Sequence, residues 1–469
     1  MGLDRIIDTL GNLDTLRYVG KVTRVVGMMV EGVMPNASIG ATCQLEPPNA
    51  PPVLAEVVGL KDGKVIMMPL GPRRGLTVGT RMTMASGQAA LQVGPGCLGR
   101  VLDGLGRPID EKGPLDDVDQ IPLAREPINP LRRSAIDRPM DFGIRAINGL
   151  LTIGEGQRVT VMAGTGVGKS TLLGMMARNA RADVVVVALI GERGREVQEF
   201  VERDLQLSNV SADRVTVVAA TSDESAALRL RAAFTATAIA EHFRNHGKRV
   251  LLLMDSLTRV VMAQREIGLS VGEPPAQRGY PPSAFAIIPS LLERAGTNER
   301  GSITAVYTTL IQGEDEEDPV ADAVRGTVDG HIVLSRRLAE AGQYPAIDVA
   351  RSLSRVMPQI SEPEHQQAGR EFRTLLNDFR EVDDLMSLGA YQKGSNPRYD
   401  RALEMAGSLR GYISQRPDEV VSVDTAIDEL HEVIHLADSA QVQAEPKTQR
   451  RSFRRHPSKT YQTAEEQLS

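Results

Sequence analysis

One segment of the chain, VTVMAGTGVGKSTLLGMM, constrains the fold more than any other. An apolar, strand-like run leads into a glycine-rich loop and then a helical run, and the loop matches the phosphate-binding pattern G-x-x-x-x-G-K-[ST] at Gly168, Lys169 and Ser170. Ala163 replaces the first glycine of that pattern. Because three glycines remain for a tight turn and close approach to an anion, we expect the loop to hold phosphate.

The side chains of this loop suit a nucleoside triphosphate with Mg²⁺. Lys169 is predicted to reach the β- and γ-phosphates, and the Ser170 hydroxyl is predicted to bind the metal ion. The residues expected to contact the nucleotide here are Gly164, Thr165, Gly166, Val167, Gly168, Lys169, Ser170 and Thr171.

Two carboxylates end later strand-like runs. Glu192 follows VVVVALIG, and Asp255 ends RVLLLMD. Because the carboxyl ends of parallel strands meet at one edge of a sheet, we expect both side chains near the phosphate loop. Glu192 is predicted to polarise an attacking water, and Asp255 to hold the hydrated metal. Taken singly, a solvated loop glutamate and an ordinary strand-end aspartate are the alternative interpretations.

The segment GQYPAIDVARSLSRVMP supplies two further candidates. Tyr344, which precedes a proline, offers a flat ring for stacking on adenine. Arg355 offers a guanidinium that can neutralise charge in the transition state of phosphoryl transfer. A structural ion pair is the alternative role for Arg355.

Changes in residue pattern along the chain predict five parts. Residues 1–16 are expected to form a short helix, either packed on its own domain or serving as a docking segment for a partner. The short β-like runs of residues 17–90 predict a small antiparallel barrel or sandwich. Alternating strand-like and helical runs predict an α/β domain over residues 91–360, with a parallel sheet covered on both faces. Residues 361–440 are predicted to be helical, and residues 441–469 to be a basic, disordered tail.

Composition excludes several classes of protein. The 469 residues are 41% apolar and 24% charged, which is typical of a globular protein of several domains. The net charge of −6 argues against a nucleic-acid partner. No amino-terminal signal peptide and no run of roughly 18 apolar residues is present, so we expect a cytoplasmic protein.

Several long motifs together resemble the ATPase of the flagellar type III export apparatus. They are AGTGVGKST, GERGREVQEF, LLLMDSLTRVVMAQREIGLSVGEPPAQRGYPPSAF, LLERAGT, GSITAVYTTLIQGEDEEDPVADAVRGTVDGHIVLSR and YPAIDVARSLSRVM. The resemblance spans roughly residues 17–440. The injectisome ATPase is similar, and the catalytic subunit of rotary ATP synthases is a more distant relative. The run ADAVRGTVDGH favours the flagellar branch.

This resemblance implies a fold and a set of site residues. The implied fold is α/β, with an N-terminal β-barrel, a RecA-like P-loop ATPase core and a C-terminal helical domain, assembled as a homohexamer. The resemblance makes Glu192 the water-activating base, Asp255 the Walker B carboxylate and Arg355 a finger supplied to the neighbouring subunit. Tyr344 matches an adenine-stacking aromatic and Tyr412, more loosely, a second one; Arg193, beside the base, is also expected to serve the site.

The resemblance also implies cofactors, partners and a location. These are ATP and Mg²⁺, a regulatory stator-like protein at the N-terminal segment, a central stalk-like protein, export-gate membrane proteins, and export substrates with their chaperones. The expected location is the cytoplasmic side of the inner membrane. Two rival hypotheses remain: a ring that mainly scaffolds its partners, and the RNA-binding transcription terminator with a related core. The second fits poorly, because only 3% of the residues are aromatic and base stacking needs such residues.

Overall fold

The computed structural model describes residues 18–85, 90–123, 125, 127–205, 212–311 and 318–444. The predicted docking segment, residues 1–16, lies outside this part of the chain. So does the predicted tail from residue 445 onward. The last helix continues to Ala444, four residues into the segment that the sequence assigned to the tail.

Six antiparallel strands close into a barrel at the N-terminal end. They are β1 (Val19–Val26), β2 (Met29–Val33), β3 (Thr42–Glu46), β4 (Val53–Lys61), β5 (Lys64–Pro69) and β6 (Arg81–Met84), in the order β1-β2-β5-β4-β3-β6. The pairing of β1 with β6 closes the barrel, which decides between the barrel and the sandwich. Alternate side chains point inward, as in β4, where Val53, Ala55 and Val57 are buried.

A larger sheet forms the centre of the molecule. Within the described residues it contains β8 (Val101–Leu102), β10 (Arg158–Ala163), β11 (Val184–Ile190), β12 (Val215–Ala220), β13 (Arg249–Asp255), β14 (Gly296–Thr297), β15 (Ser302–Leu310), β16 (Gly330–Val333) and β17 (Leu353–Ser354). The strand order is β17-β16-β10-β15-β13-β11-β12-β8, and β14 pairs with β15. The pairs β14–β15 and β16–β17 are antiparallel and the other pairs are parallel. The short strands β7 (Ala90–Val93) and β9 (Asp119–Pro122) pair separately.

Helices cover both faces of this sheet. They are α1 (Arg145–Leu150), α2 (Lys169–Asn179), α3 (Gly194–Glu199), α4 (Ala226–Asn245), α5 (Leu257–Val271), α6 (Pro282–Leu292), α7 (Pro319–Thr327) and α8 (Arg336–Glu340). Side chains of α2 join one apolar core, whereas those of α4, α5 and α6 join the core on the opposite face. The predicted α/β architecture is confirmed.

The C-terminal region is helical, as predicted. It consists of the short α9 (Met357–Ile360) and the longer α10 (Pro363–Ser387), α11 (Pro397–Ile413) and α12 (Val423–Ala444). Phe372, Leu409 and Leu430, one from each long helix, belong to the same apolar core as α2. The helical region therefore packs on the same side of the sheet as α2. No helix among the described residues combines the length and hydropathy needed to cross a membrane.

Candidate active site

The phosphate loop begins after Ala163, not at it. Ala163 is the last residue of β10, is fully buried and pairs with Leu310 of β15. The turn follows at Gly166 and Gly168, whose φ angles of 77° and 87° lie in the left-handed region that glycine adopts without strain. The methyl group of Ala163 is therefore accommodated in the core, and the glycines that the turn requires are present.

Gly168 also caps α2 at its N-terminus, and Lys169 is the first residue of that helix. The first backbone N–H groups of a helix lack intrahelical acceptors, and they point toward the loop together with the positive end of the helix dipole. This arrangement suits an anion. Ser170 and Thr171, in the first turn, are exposed.

The ammonium group of Lys169 lies between two carboxylates. Its Nζ is 2.6 Å from Oδ1 of Asp255 and 3.6 Å from Oε1 of Glu192. All three side chains are mostly buried, with exposed fractions of 13% for Lys169, 16% for Glu192 and 5% for Asp255. The structure thus brings together the three residues that the sequence predicted separately.

Sheet order explains this convergence. Strand β15 lies between β10 and β13, and β11 lies beyond β13. Because these four strands are parallel, their carboxyl ends meet at one edge. Gly191, which follows β11, has a φ of 71°, and a Cβ there would lie 2.9 Å from Cβ of Arg259. Glycine therefore allows the chain to turn Glu192 toward the loop without strain, whereas a side chain at this position would be strained and would crowd Arg259.

A further residue of the cluster was missed from the sequence. Thr308, a fully buried residue of β15, donates a hydrogen bond from Oγ1 to Oδ1 of Asp255 over 2.7 Å. Together with Lys169, it fixes the carboxylate from the strand next to its own. The available signal was the pair of threonines in SITAVYTTL, since polar residues that interrupt a buried strand near its carboxyl end require a partner.

Burial and, to a smaller extent, the nearby charge of Asp255 raise the pKa of Glu192 to about 7 against the opposing effect of Lys169. A hydrogen bond with Glu196 of α3 adds to the increase, and the same bond lowers the pKa of Glu196. Glu196 was also missed from the sequence. A carboxylate with a pKa near neutrality can accept a proton from water, which is the property expected of a general base.

Tyr344 lies beside the loop. A Cβ placed on Gly168 would be 3.4 Å from two carbon atoms of the tyrosine ring, so the ring packs over the beginning of α2. The side chain is half exposed, which leaves one ring face for a ligand. The backbone of this segment is held from the helical region, since Gln415 N donates to the carbonyl of Tyr344 over 2.9 Å.

Tyr412 is buried among the helices of the C-terminal region, and its role as a second adenine-stacking aromatic stays a prediction. It is 4% exposed, its ring packs against Phe372, and its hydroxyl donates to the carbonyl of Ala426 over 2.7 Å. Both the ring and the hydroxyl are therefore used in packing α11 against its neighbours. The sequence match rested on an aromatic residue near the end of a helix and gave no information on the direction of its side chain.

Two arginines lie on the surface instead of in the cluster. Arg193 is 83% exposed, with its Nε 3.9 Å from Oε1 of Glu196. Arg355 is exposed and follows β17 at the edge of the sheet, two strands from β10. Its Nη2 lies 3.5 Å from the carbonyl of Arg325. The N–H of Arg355 donates to the carbonyl of Asp329, whose own N–H donates to the carbonyl of Arg158 at the start of β10, whereas Lys169 follows the end of that strand. Arg355 therefore lies away from the Lys169 of its own chain, and its side chain is exposed.

The donor groups at the loop fit Mg²⁺. This ion binds oxygen ligands, takes few of them from the protein and completes its shell with phosphate oxygens and water. The exposed hydroxyl of Ser170 and the carboxylate of Asp255 are oxygen ligands of this kind. Gly168 has a left-handed backbone conformation and packs closely against Tyr344. A side chain at this position would narrow the space that the loop leaves for phosphate.

Three family models match the chain, one for each structural part. The nucleotide-binding domain of the ATP synthase alpha/beta family matches residues 143–354, and the beta-barrel domain of that family matches residues 22–83. The C-terminal domain of the T3SS EscN ATPase matches residues 361–432.

Proteins of two export systems are similar over nearly the whole chain. The flagellum-specific ATP synthase of Bacillus subtilis is 45% identical, covering 91% of this chain and 98% of the relative. That of Pseudomonas aeruginosa is 50% identical, covering 86% and 90%. The type 3 secretion system ATPase of Xanthomonas euvesicatoria is 47% identical, covering 90% and 96%.

The fold is also similar to a solved structure. The assembled ATPase EscN from the type III secretion system of enteropathogenic E. coli superposes with a TM-score of 0.83 and 42% identity, covering 88% of this chain and 100% of that one. The same ATPase in complex with its central stalk EscO gives a TM-score of 0.81.

Proposed function

The chain belongs to the ATP synthase alpha/beta family, and we propose that it is the ATPase of a bacterial flagellar type III protein export apparatus. In this role it hydrolyses ATP to drive the unfolding of substrates, their release from chaperones or their delivery to the export gate. The observation that carries the proposal is the convergence of Lys169, Glu192 and Asp255 at the end of the phosphate loop.

The described residues divide the reaction among them. The N-terminus of α2 and the glycines of the loop bind the phosphates, and Lys169 exchanges its carboxylate partners for phosphate oxygens. Ser170 and Asp255 would hold Mg²⁺, which would neutralise negative charge on the phosphates. Glu192 orients a water and accepts its proton as the water oxygen bonds to the γ-phosphorus, while the bond from that phosphorus to the β–γ bridging oxygen breaks and ADP leaves. Tyr344 stacks on adenine.

A ring of identical subunits completes each site. Arg355 is exposed at the edge of the sheet, away from Lys169 of its own chain, so it can act on nucleotide bound to a neighbouring copy. Each chain has one such arginine and one loop cluster. If identical chains associate head to tail and close into a ring, every loop cluster therefore receives an arginine from its neighbour. We infer a homohexamer, in keeping with the assembled state named for the similar EscN structure. Arg193, exposed next to Glu192, is proposed to contact the phosphates.

The partners follow from the same similarity. EscN was solved in complex with a central stalk, and we propose that a stalk-like protein occupies the centre of this ring. A stator-like regulator is proposed to bind residues 1–16, and the export gate, substrates and chaperones to contact the assembled ring. The protein would then act at the cytoplasmic face of the inner membrane as a peripheral component.

The injectisome ATPase is the second candidate. It is favoured by one observation: the type 3 secretion system ATPase of Xanthomonas euvesicatoria is 47% identical to the chain, within the range of the flagellar relatives. Copurification from the native host distinguishes the two systems. Recovery of flagellar basal-body components supports the flagellar assignment, whereas recovery of needle-complex components reverses it.

Hydrolysis itself is tested by Glu192→Gln, which keeps the shape of the side chain but removes the base. We expect ATP turnover to fall by about 10²-fold to 10⁴-fold, with nucleotide binding retained and export reduced. Export at the wild-type level without turnover would support the scaffold hypothesis instead. A variant that keeps full turnover would remove Glu192 from the mechanism.

A further inference from the structure

The segment of residues 343–355, here called the connecting segment, joins the two parts of the proposed shared site. It runs from Gln343 through Tyr344, which packs on the phosphate loop of its own chain, to Arg355, which is proposed to act on a neighbouring subunit. Its middle is a single turn of 3₁₀-helix, Val349–Arg351, and it continues into β17. The position of Arg355 therefore depends on what holds this turn.

A guanidinium from the helical region holds it. Arg373 of α10 donates from Nη1 to the carbonyls of Val349 and Ser352, the second over 3.2 Å. Its Nη2 donates to the carbonyl of Leu150, the last residue of α1, over 2.6 Å. One side chain thus ties both ends of the 3₁₀ turn to the core beneath it.

These bonds use a charge that is partly buried. Burial lowers the pKa of Arg373, and the acceptors that we find for its guanidinium are three main-chain carbonyls. Hydrogen bonds from a charged donor are stronger than those between neutral groups, and carbonyls left without a donor in a buried region are costly. The contact therefore holds the backbone of the turn in one position.

A second arginine of α10 supports the start of the same turn. Arg380 Nη2 lies 2.9 Å from Oδ1 of Asp348. The Asp348 carboxylate also accepts from the backbone N–H groups of Ala350 and Arg351, so it caps the turn. The two arginines lie seven residues apart, two turns of the helix, and so contact the segment from one face of α10.

The turn controls Arg355 through a short, paired strand. Leu353 and Ser354 form β17 and pair with His331 and Gly330 of β16, and the N–H of Arg355 donates to the carbonyl of Asp329. Arg355 follows Ser352 by only three residues, so a shift of the turn moves the arginine with it. A displacement of about 1 Å is enough to cost roughly 10²-fold in rate when a catalytic group is misplaced.

We infer that Arg373 is a positioning residue for Arg355, through which the C-terminal helical region sets the placement of the arginine that enters the neighbouring subunit's site. This inference rests on the proposed function, in which Arg355 acts in trans. It predicts a defect with an unusual location: a subunit that lacks Arg373 harms hydrolysis in its neighbour and not in itself.

Mixed rings test this location. We would combine Arg373→Met subunits, which keep an intact loop, with Lys169→Ala subunits, which keep an intact Arg373 and Arg355. Each variant alone is expected to have low turnover, with Arg373→Met reduced about 10-fold to 100-fold at an unchanged KM for ATP. In an equal mixture we expect about a quarter of wild-type turnover, since half of the subunits keep the loop and half of those receive a well-placed arginine.

Three further variants make the result decisive. Arg355→Ala mixed with Lys169→Ala should recover turnover in the same way, because its defect also lies in trans. Arg370→Met removes an exposed arginine from the same helix and should match the wild type. Arg373→Lys keeps the charge but cannot span three carbonyls, and should give an intermediate loss that the mixture also recovers.

The outcomes separate the inference from the proposed function. Recovery with both Arg355→Ala and the Arg373 variants supports the inference. In a second outcome, the Arg355→Ala mixture recovers turnover, but the Arg373→Met and Arg373→Lys mixtures give only the average of the parent activities. Arg373 would then act only within its own subunit, which overturns the inference and leaves the proposed function standing. Failure of the Arg355→Ala mixture would overturn both the shared site and the role of Arg373.

Discussion

Lys169 and Asp255 form an ion pair with 2.6 Å between Nζ and Oδ1, although the two residues are 86 positions apart in the sequence. The pair joins the first residue of α2 to the last residue of β13, across the intervening strand β15. It places the cation that binds phosphate beside the carboxylate that is proposed to bind the metal.

Replacing Lys169 should therefore affect folding as well as binding. In Lys169→Ala, the buried carboxylate of Asp255 loses its counter-ion, which typically costs about 3–5 kcal/mol. Nucleotide affinity should fall in parallel. Thermal unfolding and nucleotide titration measure the two effects. The Lys169→Ala/Asp255→Asn double variant should lose less free energy of unfolding than the two single variants lose together. Strict additivity would argue against a coupled pair.

Replacing Thr308 should lower ATP turnover as well as the stability of the fold. Thr308→Val keeps the shape but removes the hydrogen bond to Asp255, so we expect about 1 kcal/mol of destabilisation and a clear loss of turnover. Thr309→Val is the matched control, because Thr309 bonds to Thr160 and not to Asp255. It should lose similar stability and keep its turnover. Equal effects of both variants on turnover would remove Thr308 from the site.

The raised pKa of Glu192 predicts a dependence of stability on pH. The folded protein keeps a proton that the unfolded chain releases above pH 4.5, so this group's contribution to stability is full below pH 4.5, falls as the pH rises and is lost above about pH 7. Glu192→Gln has no such proton. Without nucleotide, its thermal midpoint should rise relative to that of the wild type between pH 5 and pH 8, and a constant difference would contradict the raised pKa.

The same group should govern the rate. A base must be deprotonated to accept a proton, so kcat/KM for ATP should increase with pH through an apparent pKa near 7. Measurement of initial rates from pH 5.5 to 8.5 gives this value for the free enzyme. A profile that stays flat over this range would show that protonation of Glu192 does not limit turnover.

The two tyrosines should behave differently. Tyr344→Ala removes a half-exposed ring, and we expect the KM for ATP to rise about 10-fold because base stacking on an aromatic side chain contributes about 1–3 kcal/mol. Tyr412→Phe removes only the hydroxyl that binds Ala426, so it should lower the thermal midpoint and leave KM unchanged. A raised KM in Tyr412→Phe would support a role for this residue in the nucleotide site.

Arg355→Ala should reduce kcat by about 10³-fold or more, as arginine fingers do, while nucleotide affinity stays close to that of the wild type. Titration with a fluorescent ATP analogue, alongside turnover of the assembled ring, separates the two quantities. Equal losses of affinity and turnover would indicate a structural ion pair.

The core of the site was predictable because its signals are local. Each signal can be recognised from a few consecutive residues: the phosphate loop, Glu192 after one apolar run and Asp255 at the end of another. Parallel strands then bring their carboxyl ends to one edge of the sheet, whatever the strand order. Thr308 escaped prediction because its importance comes from lying next to β13 in the sheet. Tyr412 shows the limit of such local signals, because its residue type was matched without knowledge of the direction of its ring, which packs against Phe372.

The amino-acid sequence by itself determined the order of the three structural parts, the loop that cradles phosphate and the carboxylates beside it, because strand and helix periodicity and glycine conformation depend on neighbouring residues. Only the tertiary structure decided that β1 pairs with β6 to close the barrel, that Thr308 supports Asp255, and that Arg373 binds the carbonyl of Leu150, 223 positions away. Such contacts depend on which buried polar groups remain to be satisfied once the chain has packed, and that is a property of the whole fold.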